Sequence, residues 1–232
     1  MNYAIMPATL NGAVPAEVHV VENASVSLYA AAQPAEFDTL VPAEREVAQR
    51  LGGRARAEFL RGRAALKGCL GALGLNTDTS ILKMPHRNLS LTHAANVAVA
   101  AYTAANQVIG VGVDYEPHGP IAGRLARFFL TERELQGRID EPQHGDALLR
   151  VWTVKEALFK ATHDNDALTV RDYEAHDVWA WQGSASLLPR PDTILRYITM
   201  SVLGGLPVGR RGPGTTPQAG GLTRRIDTGR RG

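Results

Sequence analysis

The stretch LSLTHAANVAVAAYTAANQVIGVGVDYE, residues 89–116, most restricts the folds open to this chain. It is filled with small and β-branched residues, which favour strands buried on at least one face. We predict two strands, at about 96–103 and 108–115, joined as a hairpin by a short turn at Asn106. The other elements have to be arranged around this hairpin.

Strand and helix patterns alternate along the rest of the chain. The predicted elements are strands at 17–31, helices from Pro42 and over 54–73, a loop at 76–88, helices at about 121–128, 131–139 and 146–162, and strands at 176–182 and 194–203. Gly74 suits a helix C-terminus, and Thr131 with Glu134 forms a capping box. This order indicates an α+β chain of two halves in tandem, residues 1–105 and 106–208.

The composition is that of a globular protein, with 44% hydrophobic and 21% charged residues. The one cysteine, Cys69, lies in an apolar helical pattern, which predicts a buried thiol and fits a reducing compartment. The first residues show no secretory leader pattern, and no run is long and apolar enough to suggest a membrane span. We therefore expect a cytoplasmic protein without a membrane partner.

Basic charge is concentrated at the end of the chain. Residues 209–232 hold six arginines and one acid, a net of +5, which leaves −3 for residues 1–208 out of the total of +2. A Gly/Arg-rich segment of this kind cannot bury a core, so we predict that it is disordered. A tail without a role is favoured over nucleic-acid binding, because the chain lacks the interleaved aromatic residues on which bases stack.

Two carboxylates stand two residues apart at the end of the second predicted hairpin strand. On a strand, Asp114 and Glu116 would point to the same face. Side by side they would resist ionisation unless a cation lay between them, and magnesium binds to carboxylates together with substrate phosphates. The alternative is that one acid faces solvent before the turn at Pro117.

The stretch VWTVKEALFKAT, residues 151–162, contains a third carboxylate. Helical spacing places Trp152, Glu156 and Lys160 on one stripe, where a Glu–Lys pair stabilises a helix by only about 0.3–0.5 kcal/mol. Taken alone, this spacing favours an ordinary surface ion pair. Taken with the acid pair, Glu156 becomes a third metal ligand, and Lys155 and Lys160 become candidates to hold phosphate oxygens.

These segments together resemble the paired motifs of a known family. GVDYEP at 112–117, followed by WTVKEALFK at 152–160, resembles the signature of the 4′-phosphopantetheinyl transferase superfamily, Sfp type, roughly G-[VI]-D-x-E and W-x-x-K-E-[AS]-x-x-K. LSLTH at 89–93 resembles the family's SLSH segment, and FLRGRAALK at 59–67 resembles its arginine-bearing helix. The resemblance covers about residues 40–185.

The resemblance implies a fold and a reaction. The fold would be a pseudo-dimer of two similar α+β halves in one chain, with the site between them, which agrees with the tandem pattern and favours a monomer. The reaction would transfer 4′-phosphopantetheine from coenzyme A to a serine hydroxyl of an apo acyl, peptidyl or aryl carrier protein, with magnesium, releasing adenosine 3′,5′-bisphosphate. The alternative is a member of the same fold that binds carrier proteins without transferring the group.

The resemblance also implies roles for individual residues. Asp114, Glu116 and Glu156 would bind magnesium, and Glu156 would act as the base toward the carrier serine, directly or through a water. Lys160 would neutralise the pyrophosphate or assist the departing phosphate, and Lys155 would be a further phosphate contact.

A second group of residues would bind coenzyme A. His93 would contact one of its phosphates, and Arg63 would bind the 3′-phosphate, with Arg56 as a second candidate. Both arginines would otherwise be solvated positions on an amphipathic helix. The loop ILKMPHRN at 81–88 departs from the family, which often carries a G-x-P segment there, and this departure leaves the nucleotide contacts open.

Aromatic and basic residues near the motifs are expected to support the site. Trp152 is predicted to be a core residue, and Phe128 and Phe129 are predicted to be buried rather than to line the face toward the carrier. Basic side chains at the rim would face an acidic carrier protein, and the candidates are Arg124, Arg127 and Arg133.

Overall fold

Two antiparallel sheets, each packed against one long helix, form the main part of the structure. The computed structural model describes residues 6–8, 16–21, 24–94, 96–105, 110–117, 121–136, 145–162, 168–176 and 182–198, all within the compact unit Met1–Ser201. The mixed α+β class predicted from the sequence is confirmed. The predicted tail at 209–232 lies outside the described residues.

The first sheet has five strands in the order β1-β2-β3-β5-β4, and every neighbouring pair is antiparallel. Its strands are β1 (Met6–Ala8), β2 (Ala16–Val21), β3 (Ala24–Ala31), β4 (Leu89–Ala94) and β5 (Val97–Thr103). The two strands predicted within 17–31 are β2 and β3. Strand β4 is an edge strand of this sheet, so the outer side of β4 is open to another segment of the chain.

Helices α1 (Pro42–Arg50) and α2 (Gly53–Ala72) follow β3, as the sequence predicted. Helix α2 ends at Ala72, and Gly74 follows its C-cap with a positive φ of 68°, a conformation that glycine adopts without strain. Cys69 on α2 is buried, and burial raises the pKa of its thiol to about 12, so the predicted buried thiol is confirmed. No helix among the described residues is long and apolar enough to cross a membrane.

The predicted hairpin of strands at 96–103 and 108–115 is wrong. The strand near 96–103 is β5, but its hairpin partner is β4, with His93 opposite Ala98 and Thr92 opposite Val99. Residues 110–117 form no strand; instead the Val111 amide donates to the Arg87 carbonyl. The backbone of this segment therefore covers the edge of β4 without joining the sheet.

The second sheet has three antiparallel strands in the order β6-β7-β8. They are β6 (Tyr173–His176), β7 (Gln182–Leu187) and β8 (Arg190–Ile198). Strand β8 overlaps the strand predicted at 194–203, whereas most of the strand predicted at 176–182 lies outside the described residues. Helix α4 (Gly145–Ala161) packs on this sheet through Val154 and Leu158. Its other apolar face contacts the segment before it through Leu148 and Val151.

In the part of the chain between β5 and α4 that the structure describes, there are two short helices. The predicted helix at 121–128 is a 3-10 helix over Gly123–Phe128, and α3 covers Glu132–Gln136. The capping box is confirmed, because the Thr131 amide donates to Glu134 Oε2 at 2.7 Å and the Glu134 amide donates to Thr131 Oγ1 at 3.1 Å. Phe129 is buried as predicted, whereas the prediction for Phe128 is wrong, since 60% of it is exposed.

The segment at 110–113 lies directly against the backbone of α4. A Cβ added at Gly112 would stand 1.8 Å from the Ala157 carbonyl oxygen, and one added at Gly110 would stand 2.0 Å from that of Ala161. Glycine is therefore required at these two positions because any side chain would overlap the helix backbone. Asp114, two residues further on, is held against the same helix by this contact.

We predict that Gly112→Ala lowers the free energy of unfolding by about 1–3 kcal/mol, because the added methyl group has to push the segment off α4. Gly123→Ala is the matched control, since a Cβ there meets nothing within 4 Å. Chemical denaturation of both variants measures the difference. Equal stability of the two variants would show that the segment does not lie against α4.

Candidate active site

Helix α4 presents one stripe of side chains toward the segment 110–117. Trp152, Glu156 and Lys160 are spaced four apart on this helix, so their side chains follow one another along one face. Both acids of the GVDYEP motif contact this stripe, although the segment that carries them is not a strand. The structure therefore brings the two predicted motifs together because the segment 110–117 packs on α4, and not because the acids alternate along a strand.

Asp114 is an enclosed member of the predicted metal ligands, with 6% of its side chain exposed. Its Oδ1 accepts hydrogen bonds from Lys160 Nζ at 2.7 Å and from Thr92 Oγ1 at 2.9 Å. Its Oδ2 is buried and has no hydrogen-bond partner among the described residues. Lys160 thus pairs with Asp114 across the two segments.

Glu116 is held by the tryptophan of the second motif. The Trp152 Nε1–H donates to Glu116 Oε1 at 3.2 Å, and the indole packs edge-on against Phe129 with 5.4 Å between ring centroids. Trp152 is half-buried and packs against the apolar cluster of Phe129 and Leu130, as a core residue would. Its polar edge adds a function that the sequence did not indicate, which is to orient a carboxylate.

Glu156 lies within the electrostatic influence of both acids. Burial raises the pKa of its carboxyl group, and the negative charges of Asp114 and Glu116 raise it further, while Lys160 acts in the opposite direction. Three carboxylates consequently share one region with one lysine. An additional positive charge would be stabilised in such a place.

His93 lies on the opposite face of β4 from Thr92. Its imidazole stands over Gly62 of α2, where a Cβ would come within 2.6 Å of Nε2. His93 is exposed as a whole residue, but partial desolvation of its imidazole against α2 lowers its pKa; Arg61 and Lys160 lower it further, while Glu58 opposes this shift. The imidazole is accordingly neutral near pH 7 and contacts a partner by hydrogen bonding rather than by charge.

The contacts of Lys155 do not favour its predicted role at a phosphate. Its side chain is fully buried, and Nζ donates to the Phe129 carbonyl at 2.7 Å and to Glu134. Glu134 also accepts the Ala175 amide at 3.0 Å, so this network ties α4 to α3 and to β6. Lys155 therefore stabilises the support of α4, on a face away from the stripe that bears Glu156.

The two predicted arginine ligands have different surroundings. Arg63 Nη1 donates to the carbonyl and to the hydroxyl oxygen of Thr79, both at 2.9 Å, and its guanidinium stacks over Phe59. Arg56 is exposed, with its guanidinium 5.8 Å from the ring centre of Phe37. Arg63 fixes the loop after α2 in this way, and a contact of either arginine with a 3′-phosphate stays a prediction.

The carboxylates suit a divalent cation in their chemistry. Oxygen donors are the ligands that magnesium prefers, and the unpartnered Oδ2 of Asp114 is a buried acceptor that needs a positive partner. As placed, no three His, Cys, Asp or Glu side chains of the described residues are arranged to hold a metal. The donor chemistry of the three carboxylates therefore fits the cation, whereas their present arrangement does not form a metal cluster.

Two hydroxyl residues of β4 were not predicted. Ser90 Oγ accepts the Val113 amide at 3.0 Å, and Thr92 contacts both Asp114 and Lys160. Strand alternation places these two residues on one face of β4 and His93 on the other. The alternation can be read from LSLTH, but the resemblance to the family motif predicted a role for His93 alone.

Comparison with known proteins finds a similarity in the part of the chain that bears the acids. Residues 110–200 match the 4′-phosphopantetheinyl transferase superfamily. Over 130 aligned residues, the chain is 29% identical to the 4′-phosphopantetheinyl transferase HetI of Nostoc sp. (strain PCC 7120), covering 48% of this chain and 54% of HetI. The chain thus spans about half the length of the curated relative that it matches.

We predict that Glu156→Gln stabilises the protein in metal-free buffer near pH 7. Because the folded state raises the pKa of Glu156 above its usual value of 4.5, folding favours the protonated form. The stability that this proton contributes is present below about pH 4.5 and is lost as the pH rises through the folded-state pKa. The gain from Gln should therefore grow between about pH 4.5 and pH 7, as measured by chemical denaturation with EDTA.

The control for this pH dependence is Glu36→Gln, since Glu36 is exposed. Its effect should stay within about 0.5 kcal/mol at every pH. A Glu156→Gln difference that is equally flat would show that burial and the neighbouring carboxylates do not raise the pKa of this carboxyl group in the folded protein.

Proposed function

We propose that this chain is a phosphopantetheinyl transferase of the Sfp type. It transfers the 4′-phosphopantetheine group of coenzyme A to a serine hydroxyl of an apo acyl or peptidyl carrier protein, with magnesium as the cofactor. The observation that carries this proposal is the meeting of Asp114, Glu156 and Lys160, which come from two motifs and lie within one electrostatic cluster. The family match over residues 110–200 supports it independently.

The transfer requires a base near the attacking hydroxyl. The serine oxygen forms a bond to the β-phosphorus, the bond from that phosphorus to the bridging oxygen breaks, and adenosine 3′,5′-bisphosphate leaves. Glu156 is the proposed acceptor of the serine proton, directly or through a water. The surroundings that raise its pKa also make it a stronger base than an exposed carboxylate.

Lys160 and His93 are proposed to bind the phosphates. A lysine ammonium has three N–H donors, and Asp114 and Thr92 account for two contacts of Lys160. The ammonium is partly exposed, with 29% of the side chain accessible, so a phosphate oxygen can approach it. The neutral His93 imidazole would add a directed hydrogen bond.

Asp114, Glu116 and Glu156 are the residues proposed to hold magnesium. A bound magnesium ion supplies positive charge to the pyrophosphate oxygens as the bond to the leaving group breaks. Trp152 keeps Glu116 directed toward this region through its indole N–H.

We further propose that the chain is a pseudo-dimer of two α+β halves. One long helix on an antiparallel sheet occurs twice, as α2 on the β3, β4 and β5 strands and as α4 on the β6, β7 and β8 strands. In the candidate site, Thr92 comes from the first half of the chain and Lys160 comes from the second half. This arrangement supports a site between the halves and a monomer as the active form.

The decisive test is transfer to an apo carrier protein. Incubation with coenzyme A, magnesium and the carrier should increase the carrier mass by one phosphopantetheine group, as measured by mass spectrometry. Glu156→Gln should reduce the rate by at least about 100-fold, as expected for loss of a general base. Glu36→Gln should leave the rate unchanged.

Two outcomes would contradict the proposal. Absence of transfer with several carriers would favour the alternative function, a binding protein for carriers without catalysis. Near wild-type transfer by Glu156→Gln would remove this residue from both the metal and the base assignment.

The exposed end of the 3-10 helix is the proposed contact surface for the carrier. Phe128 is 60% exposed and Leu125 is 44% exposed, and the Arg127 guanidinium lies 5.0 Å from the Phe128 ring centre. The same turn continues into the buried Phe129, which contacts Trp152 of the site. An exposed aromatic ring beside arginines suits an acidic partner with an apolar contact.

We predict that Phe128→Ser raises the KM for the carrier protein about 5- to 10-fold and leaves the KM for coenzyme A unchanged, because only the protein partner would lose contact area. Leu188→Ser is the matched control, since Leu188 is 47% exposed in the turn between β7 and β8. Steady-state kinetics with each substrate varied in turn provide the measurement. Equal carrier KM values for both variants would place the docking surface elsewhere.

A further inference from the structure

Thr92 connects strand β4 to the carboxylate of Asp114. The threonine is 5% exposed, and its hydroxyl lies 2.9 Å from Asp114 Oδ1 and 3.3 Å from Lys160 Nζ. Its position on β4 is fixed by pairing with Val99 of the neighbouring strand. A rigid strand therefore holds this hydroxyl in place.

The direction of the hydrogen bonds follows from the groups involved. A lysine ammonium can only donate, and an ionised carboxylate can only accept. Lys160 therefore donates to the Thr92 oxygen, and the Thr92 hydroxyl donates to Asp114 Oδ1. A second donation from Lys160 to the same Oδ1 closes the triangle.

The two oxygens of Asp114 consequently have different surroundings. Oδ1 accepts two hydrogen bonds, whereas Oδ2 is buried without a hydrogen-bond partner among the described residues. The Asp114 side chain is only 6% exposed, so bulk water does not replace the missing partner. Within the described part of the chain, this oxygen therefore lacks the donor or cation that a buried acceptor ordinarily has.

We propose that Thr92 is a positioning residue that fixes the orientation of the Asp114 carboxylate, with Oδ1 held by the protein and Oδ2 directed to the divalent cation. This inference rests on the metal site of the proposed function and deepens it. Thr92 itself does not touch the metal or the substrate. Without the Thr92 hydroxyl, Lys160 would be the one described contact left on Oδ1, and rotation of the carboxylate about that contact would present the metal with a misplaced ligand.

Direct binding of Mn²⁺ to the purified full chain tests the proposal. Free Mn²⁺ is measured by electron paramagnetic resonance, so the result does not depend on catalysis. Thr92→Val keeps the shape of the side chain but removes the hydroxyl, and it should weaken Mn²⁺ binding by about 10- to 100-fold, as for other partners that orient metal ligands. Thr92→Ser restores a hydroxyl and should return the Kd to within about threefold of the wild-type value.

Two further variants separate this role from a general effect on the sheet. Thr103→Val replaces another buried threonine in the same sheet and should leave the Mn²⁺ Kd unchanged. Thr92→Ala provides a second hydroxyl-free variant if Thr92→Val does not fold, and circular dichroism checks each protein. An unchanged Kd in the folded hydroxyl-free variant would overturn the role of Thr92 and leave the proposed transferase function intact.

The metal assignment itself is checked with Asp114→Asn, which should bind Mn²⁺ far more weakly than the wild type. Equal binding by Asp114→Asn, or no binding by the wild type, would overturn the role of Thr92 together with the metal site. Mass measurement of the carrier protein would then show separately whether transfer occurs.

Discussion

Direct contact between a glycine-bearing segment and the backbone of α4 is the constraint on which the candidate site depends. Gly110 and Gly112 lie against two carbonyl oxygens of the helix, and no side chain separates the two main chains. Asp114 therefore comes within hydrogen-bond distance of Lys160. Larger residues at positions 110 and 112 would hold the segment away from α4 and would separate its acids from the helix.

Neighbouring residues on α4 differ in how well the fold stabilises their charge. Lys155 is fully buried, and Glu134 and the Phe129 carbonyl satisfy its ammonium. Glu156 shares its surroundings with two other carboxylates, and its ionised form is disfavoured. Structural charges are usually paired, whereas functional sites retain charge arrangements that cost stability. The satisfied charge of Lys155 is typical of a structural role, and the disfavoured charge of Glu156 is typical of the functional role proposed for it.

Sequence reasoning predicted the elements whose signals are local. The ends of α1 and α2, the Thr131 capping box and the buried Cys69 all depend on residues a few positions apart. The segment at 110–117 was misassigned because its alternation of small and branched residues is the same in a strand and in a chain packed on a helix. The buried pairing of Lys155 was not predicted, because its partner, Glu134, lies 21 residues away in the sequence.

Burial of the single cysteine has a consequence for the proposed use of coenzyme A. That proposed substrate ends in a thiol, which exchanges with protein thiolates to form mixed disulfides. Cys69 is 2% exposed and its thiol pKa is about 12, so no reactive thiolate forms at neutral pH. The chain contains no other cysteine. Disulfide forms of the proposed substrate would therefore meet no reactive thiolate on this chain with which to exchange.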